Sequence, residues 1–196
     1  VRILVGLGNP GPRYARTRHN VGFMAAEAFL ARHGAGRARL EHGALVAEAR
    51  WAGETLLVAR PQTFMNLSGG PVAALARVHG AAPGDLIVLY DDADLPLGLL
   101  RVRPGGRPAG HRGMSSIAGA LGTDEVPRVR MGVGRPEAEQ AGLAGYVLEV
   151  FDRSEEPVVE EMIEKAADAV ETLLAEGVKI AMNRYNRRAP RETTGG

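Results

Sequence analysis

The 196-residue chain contains no cysteine, which excludes disulfides, thiolate metal ligands and a cysteine nucleophile together. That absence fits a cytoplasmic protein. There is no run of 18 or more apolar residues, so a membrane-spanning helix is not expected. "VRILVGLGNP" runs from a short strand-like stretch straight into Gly and Pro, without the core and cleavage site of a signal peptide. The expectation is a soluble, unexported protein with no membrane partner. No serine sits in G-x-S-x-G, no H-E-x-x-H occurs, and the five histidines do not pair at helical ligand spacing. A serine hydrolase and a zinc hydrolase are both disfavoured.

Net charge is also nearly absent, formally +1, but opposite blocks cancel in that sum. Residues Leu97 to Arg135 hold seven arginines against Asp124 and Glu125, a net of +5. Asp152 to Glu176 carries nine acids against Arg153 and Lys165, a net of −7, and Gly177 to Gly196 is again basic at +4. A basic middle and tail suit a polyanion, with the acidic stretch facing away. Arginines scattered over solvated faces would give the same composition.

The length suits one domain, since roughly 100–200 residues per domain is usual. That domain is expected over 1–188, with a flexible tail over 189–196. "RILVGLG" reads as a buried strand and "NVGFMAAEAFLARHG" as a helix closed by Gly34. "ALVAEARWAGETLLVARP" reads as two strands joined at Ala52 to Glu54, followed by a helix from about Leu67 to His79. "DLIVLYDD" has the pattern of a central strand that delivers carboxylates to a sheet rim. "GLLRVRP" and "RVRMGVG" are further strands, and period two puts Arg101 and Arg103 on one face. Between them, "GGRPAGHRGMSSI" is a Gly-rich loop entering a short helix. A long amphipathic helix capped by Ser154 follows, and a last short helix begins near Val178. Intermingled strands and helices make the class α/β.

"GLGNPG", Gly6 to Gly11, matches the G-x-G-x-x-G spacing of dinucleotide sites. A phosphate cradle needs a helix opening in the glycine turn and an acidic residue ending a second strand about 20 positions on. Here Pro10 and Pro12 flank Gly11, the helix begins only near Val21, and Glu27 lies inside it. The segment is better read as a tight turn fixing Asn9 at a strand end.

Near that turn, "TRHN" places His19 and Asn20 at the end of a loop, before a helix. His19 there is either a general base or a helix-start histidine making an ordinary backbone contact. In "TFMNLSGG", Asn66 stands where an N-cap would, and Met65 is either core or a lid over a pocket. "YDDADLP" presents Asp91, Asp92 and Asp94, of which one could orient an imidazole; a metal-binding pair is the rival reading. A His, an Asp and two Asn at strand ends suit water activation by histidine, with amides positioning a carbonyl and no covalent intermediate.

The segments "VGLGNPGPRYARTRHNVGF", "PQTFMNLSGGPV", "DDADLPLGLLRVR", "GHRGMSSI", "RVRMGVGRP" and "FDRSEE" occur in order from about Arg2 to Tyr185. In them the sequence resembles bacterial peptidyl-tRNA hydrolase. The resemblance implies a single α/β domain with a mixed, twisted sheet between helices, phosphorylase/hydrolase-like. It implies a cytoplasmic, mostly monomeric enzyme that hydrolyses the ester of peptidyl-tRNA, recycling tRNA after abortive translation without metal or other cofactor. Carried over by position, His19 is the base and Asp91 its orienting carboxylate. Asn9 and Asn66 are site amides, Tyr14 and Met65 line the cleft, and Arg101, Arg103 and Arg130 hold tRNA. Arg112 departs from the family's usual G-H-N-G and is expected to contact a phosphate or the peptide carbonyl near the 3′ end. An RNA-binding relative without hydrolase activity is the alternative.

Overall fold

The computed structural model describes residues 1–137 and 142–186; the tail expected over 189–196 lies outside them. Seven strands form one mixed sheet: β1 Ile3–Gly6, β2 Arg39–Glu41, β3 Ala44–Trp51, β4 Glu54–Pro61, β5 Leu86–Asp92, β6 Leu100–Arg103 and β7 Arg128–Gly132. Their order is β2-β3-β4-β1-β5-β7-β6. The central strands β4, β1, β5 and β7 run parallel, while β2, β3 and β6 pair antiparallel at the two edges.

The central strands are apolar on both faces, as burial between helices demands. Along β1 and β5, Leu4, Ile87 and Leu89 enter one core layer under α1 Val21–His33 and α5 Glu156–Glu176. Ile3, Val5, Leu86, Val88 and Tyr90 alternate to the other face, beneath α2 Gly69–Val78 and α3 Arg112–Leu121. α4 Leu143–Val147 is short, and α6 Val178–Tyr185 folds back along α5. The α/β sandwich expected from the sequence is present.

The differences are local. β2 and α4 were not anticipated, because three and five largely exposed residues carry no readable period. Ser154 does not cap α5; Glu155 holds the cap position, and its Oε1 accepts from the Asp152 N–H at 2.9 Å. Asn66 is not an N-cap either, since Met65–Leu67 form a 3-10 turn and α2 starts two residues later, after Ser68.

Gly22 sets how closely α1 seats on the sheet. A Cβ there would collide with the carbonyl oxygens of Leu89 and Leu7, so no larger residue fits without moving backbone. This contact anchors the start of α1 against the C-terminal ends of β1 and β5, the edge where open α/β sheets place their sites.

Candidate active site

Three segments converge at that edge. Beyond β1, Gly11 has φ 100°, a turn conformation that favours glycine, and the chain returns through a 3-10 turn, Arg18–Asn20, into α1. Asn20 closes the loop on itself. Its Oδ1 accepts from the Asn9 N–H and its Nδ2 donates to the Asn9 carbonyl, both at 2.9 Å. The Asn9 Oδ1 in turn accepts from the Met65 N–H at 2.8 Å. Because that partner is a donor, the oxygen must face Met65, which leaves Asn9 Nδ2 for the cleft. Among the described residues, Nδ2 has no protein acceptor.

Asp91, at the end of β5, is 4% exposed. His19 Nδ1 lies 2.7 Å from its Oδ2, and His111 Nε2 lies 2.8 Å from its Oδ1. Burial alone would push the Asp91 carboxyl up, but the two imidazoles outweigh it and hold the group at about 2. The Met114 N–H donates to His111 Nδ1 at 3.2 Å, capping α3. His111 must therefore carry its proton on Nε2, towards Asp91. By the same reasoning, His19 Nδ1 donates to an anion and Nε2 is the ring nitrogen left to accept a proton.

These three side chains could also offer ligand atoms, all within 4.8 Å of one another. The two nitrogen–oxygen distances of 2.7 and 2.8 Å are hydrogen-bond lengths. They are shorter than the roughly 3.3 Å between ligands around a tetrahedral ion with 2.0–2.1 Å bonds. The arrangement is a hydrogen-bonded relay.

The relay opens into a cleft of about 560 Å³. Asn9, Tyr14, His19, Met65, Asn66 and Arg112 all line it, as do Asp91 and Arg130. Of these, Met65 is buried and Asn66 exposed. Phe64, Leu143 and Leu148 are exposed apolar residues on the same walls. Every site residue expected from the sequence is at the cleft except Arg101 and Arg103. Those two sit on β6 outside the lining, with Arg101 paired directly to Arg130 across β7. The three arginines thus form a basic strip leading from the cleft to the sheet edge. Burial first, then the charges of Arg101 and Arg130, lowers the Arg103 pKa, a crowding of like charge that an anion relieves.

Arg130 is paired with Asp92 at 2.6 Å, and Arg135 with Asp94. Arg112 has no ion-pair partner among the described residues. Arg128, despite its place in "RVR", is 1% exposed and spends its guanidinium on the carbonyls of Val126 and Asp124.

The family model for peptidyl-tRNA hydrolase matches residues 3–193. The chain belongs to the peptidyl-tRNA hydrolase family. Among relatives, peptidyl-tRNA hydrolase of Mycobacterium sp. (strain KMS) is 48% identical over 182 residues, which is 92% of this chain and 94% of that protein. That of Alkaliphilus oremlandii is 45% identical over 186 residues, 95% of this chain and 100% of its own. The crystal structure of peptidyl-tRNA hydrolase from Acinetobacter baumannii superposes with a TM-score of 0.88 at 28% identity, covering 97% of this chain and 96% of that one.

Sequence reading missed the role of His111 in this peptidyl-tRNA hydrolase fold. It lies 20 residues from Asp91 along the chain, on a loop whose course nothing in the local pattern reveals. Its one signal was position: a histidine directly before a helix start can cap it.

Proposed function

We propose that the chain hydrolyses the ester joining a peptide, or another N-blocked aminoacyl group, to the 3′-terminal ribose of tRNA, so recycling tRNA after abortive translation. The observation that carries this reading is the His19–Asp91 contact of 2.7 Å beside Asn9, on the floor of an open cleft in a member of this family.

His19 Nε2 takes a proton from water as that water attacks the ester carbonyl. Asp91 fixes the tautomer and stabilises the imidazolium without taking the proton itself. Asn9 Nδ2 donates to the oxyanion, an effect worth about 2.7–4 kcal/mol for one well-placed donor. Asn66 supplies a second amide to substrate or water, and Tyr14 and Met65 shape the wall for the peptide. The imidazolium then returns its proton to the departing ribose hydroxyl, so no covalent intermediate is needed.

Arg101, Arg103 and Arg130 grip the 5′-phosphate and acceptor stem without reading sequence, which suits an enzyme that accepts many tRNAs. Arg112 meets a phosphate near the 3′ end, with five donors and a fixed charge where an asparagine would offer one amide. The enzyme acts as a cytoplasmic monomer and uses no metal.

The test is release of N-acetylaminoacyl groups from tRNA by the purified chain. Catalytic release supports the proposal. Tight tRNA binding with no release would instead make the protein an RNA-binding module.

A further inference from the structure

Arg18 precedes His19, yet its side chain turns into the protein and is 5% exposed. Nη1 donates to the carbonyls of Tyr146 and Val150, both at 3.2 Å, and Nη2 donates to Glu155 Oε1 at 3.3 Å. The guanidinium carbon lies 4.0 Å from the centre of the Tyr146 ring, within cation–π range. The backbone joins the same partner: the Arg18 N–H donates to the Glu149 carbonyl at 3.0 Å, and Thr17 bridges Val150.

All these contacts fall between Tyr146 and Glu155, on α4 and the strap that follows it. That segment forms one wall of the cleft through Leu143, Val147 and Leu148. A five-residue helix does not hold itself in water; α4 is held by the 3-10 turn that carries Arg18 and by the Tyr146 hydroxyl, which donates to the Val133 carbonyl at 2.9 Å. A buried cation is costly unless its partners are well placed. Here those partners are the base of the wall.

We infer that Arg18 is a positioning residue that clamps the α4 wall to the turn bearing His19, keeping that wall of the cleft in place to hold bound substrate. Only a planar fork that donates to several carbonyls while stacking on an aromatic ring performs this; lysine cannot. The effect on KM rests on the hydrolase reading above, whereas the clamp itself does not.

The test measures kcat and KM for N-acetylaminoacyl-tRNA, together with amide exchange across 143–150, in Arg18→Lys, Tyr146→Leu and the double variant. Expected are a KM raised roughly tenfold or more in each single variant with kcat little changed, an unchanged pH profile of kcat, and a double variant little worse than Tyr146→Leu alone. Val147 and Leu148 amides should exchange at least about tenfold faster. Additive effects, a fall in kcat at constant KM, or exchange at wild-type rates would overturn the clamp. If Arg18→Lys does not fold, Tyr146→Leu is compared with Tyr146→Phe, which loses only the hydroxyl's bond to the Val133 carbonyl and keeps the ring beside Arg18; equal effects in the two would overturn the clamp. If the wild type does not hydrolyse the ester, the functional reading fails and the exchange data still decide the clamp.

Discussion

Met65 and Asn9, 56 residues apart, are joined by a 2.8 Å hydrogen bond from the Met65 N–H to Asn9 Oδ1. This bond orients the amide, so the acceptor half of Asn9 serves structure and the donor half faces substrate. Asn9→Asp keeps the acceptor and loses the donor. Its expected kcat is lower by roughly 10²–10³-fold, while the Met65 N–H keeps its acceptor. Asn9→Ala also strands the Met65 N–H, at about 1–3 kcal/mol, so Tm falls as well. Parallel kinetics and thermal melts of the two variants separate the roles.

Asp91 is held at about 2, against an ordinary 3.8. A carboxyl depressed in the folded state stabilises it above about pH 4, and this contribution is lost as pH falls towards 2. It amounts to roughly 2 kcal/mol. Urea midpoints at pH 6 and pH 2.5 should fall further for the wild type than for Asp91→Asn. Because Asp91 stays ionised above pH 4, any acid limb of kcat/KM above that pH comes from another group.

Arg101, Arg103 and Arg130 stand on adjacent strands as one basic strip. Replacing Arg101 by Ala is expected to weaken tRNA binding equally for different tRNAs and to reduce the salt slope of log K by about one. Titrations at several salt concentrations read both. A preference appearing among tRNAs would mean that the strip reads bases.

Arg112 opens α3 at the cleft, next to His111. Arg112→Asn is expected to raise KM for the tRNA substrate several-fold, by roughly 1 kcal/mol, leaving kcat nearly unchanged and the dependence on salt weaker. Unchanged constants would make Arg112 a neutral surface substitution.

Much of this was legible in the sequence, for identifiable reasons. β1 and β5 are buried on both faces, so their apolar runs stand out, and the polar residues that follow β1 and close β5, Asn9 and Asp91, are conspicuous. The delayed start of α1 argued against a phosphate cradle at "GLGNPG", and the loop folds back through Asn20 onto Asn9. What escaped depends on contacts between distant segments. His111 reaches Asp91, and Arg18 reaches Tyr146 and Val150 more than 120 residues away. Asn66 looked like a cap because the 3-10 turn before α2 has the same local composition as a helix start.

The most direct measurement is the release of N-acetylaminoacyl groups from tRNA by wild type and by His19→Ala at saturating substrate. A general base held by Asp91 predicts a fall of roughly 10²–10⁴-fold in kcat, with tRNA binding retained. Equal rates in the two proteins would contradict it.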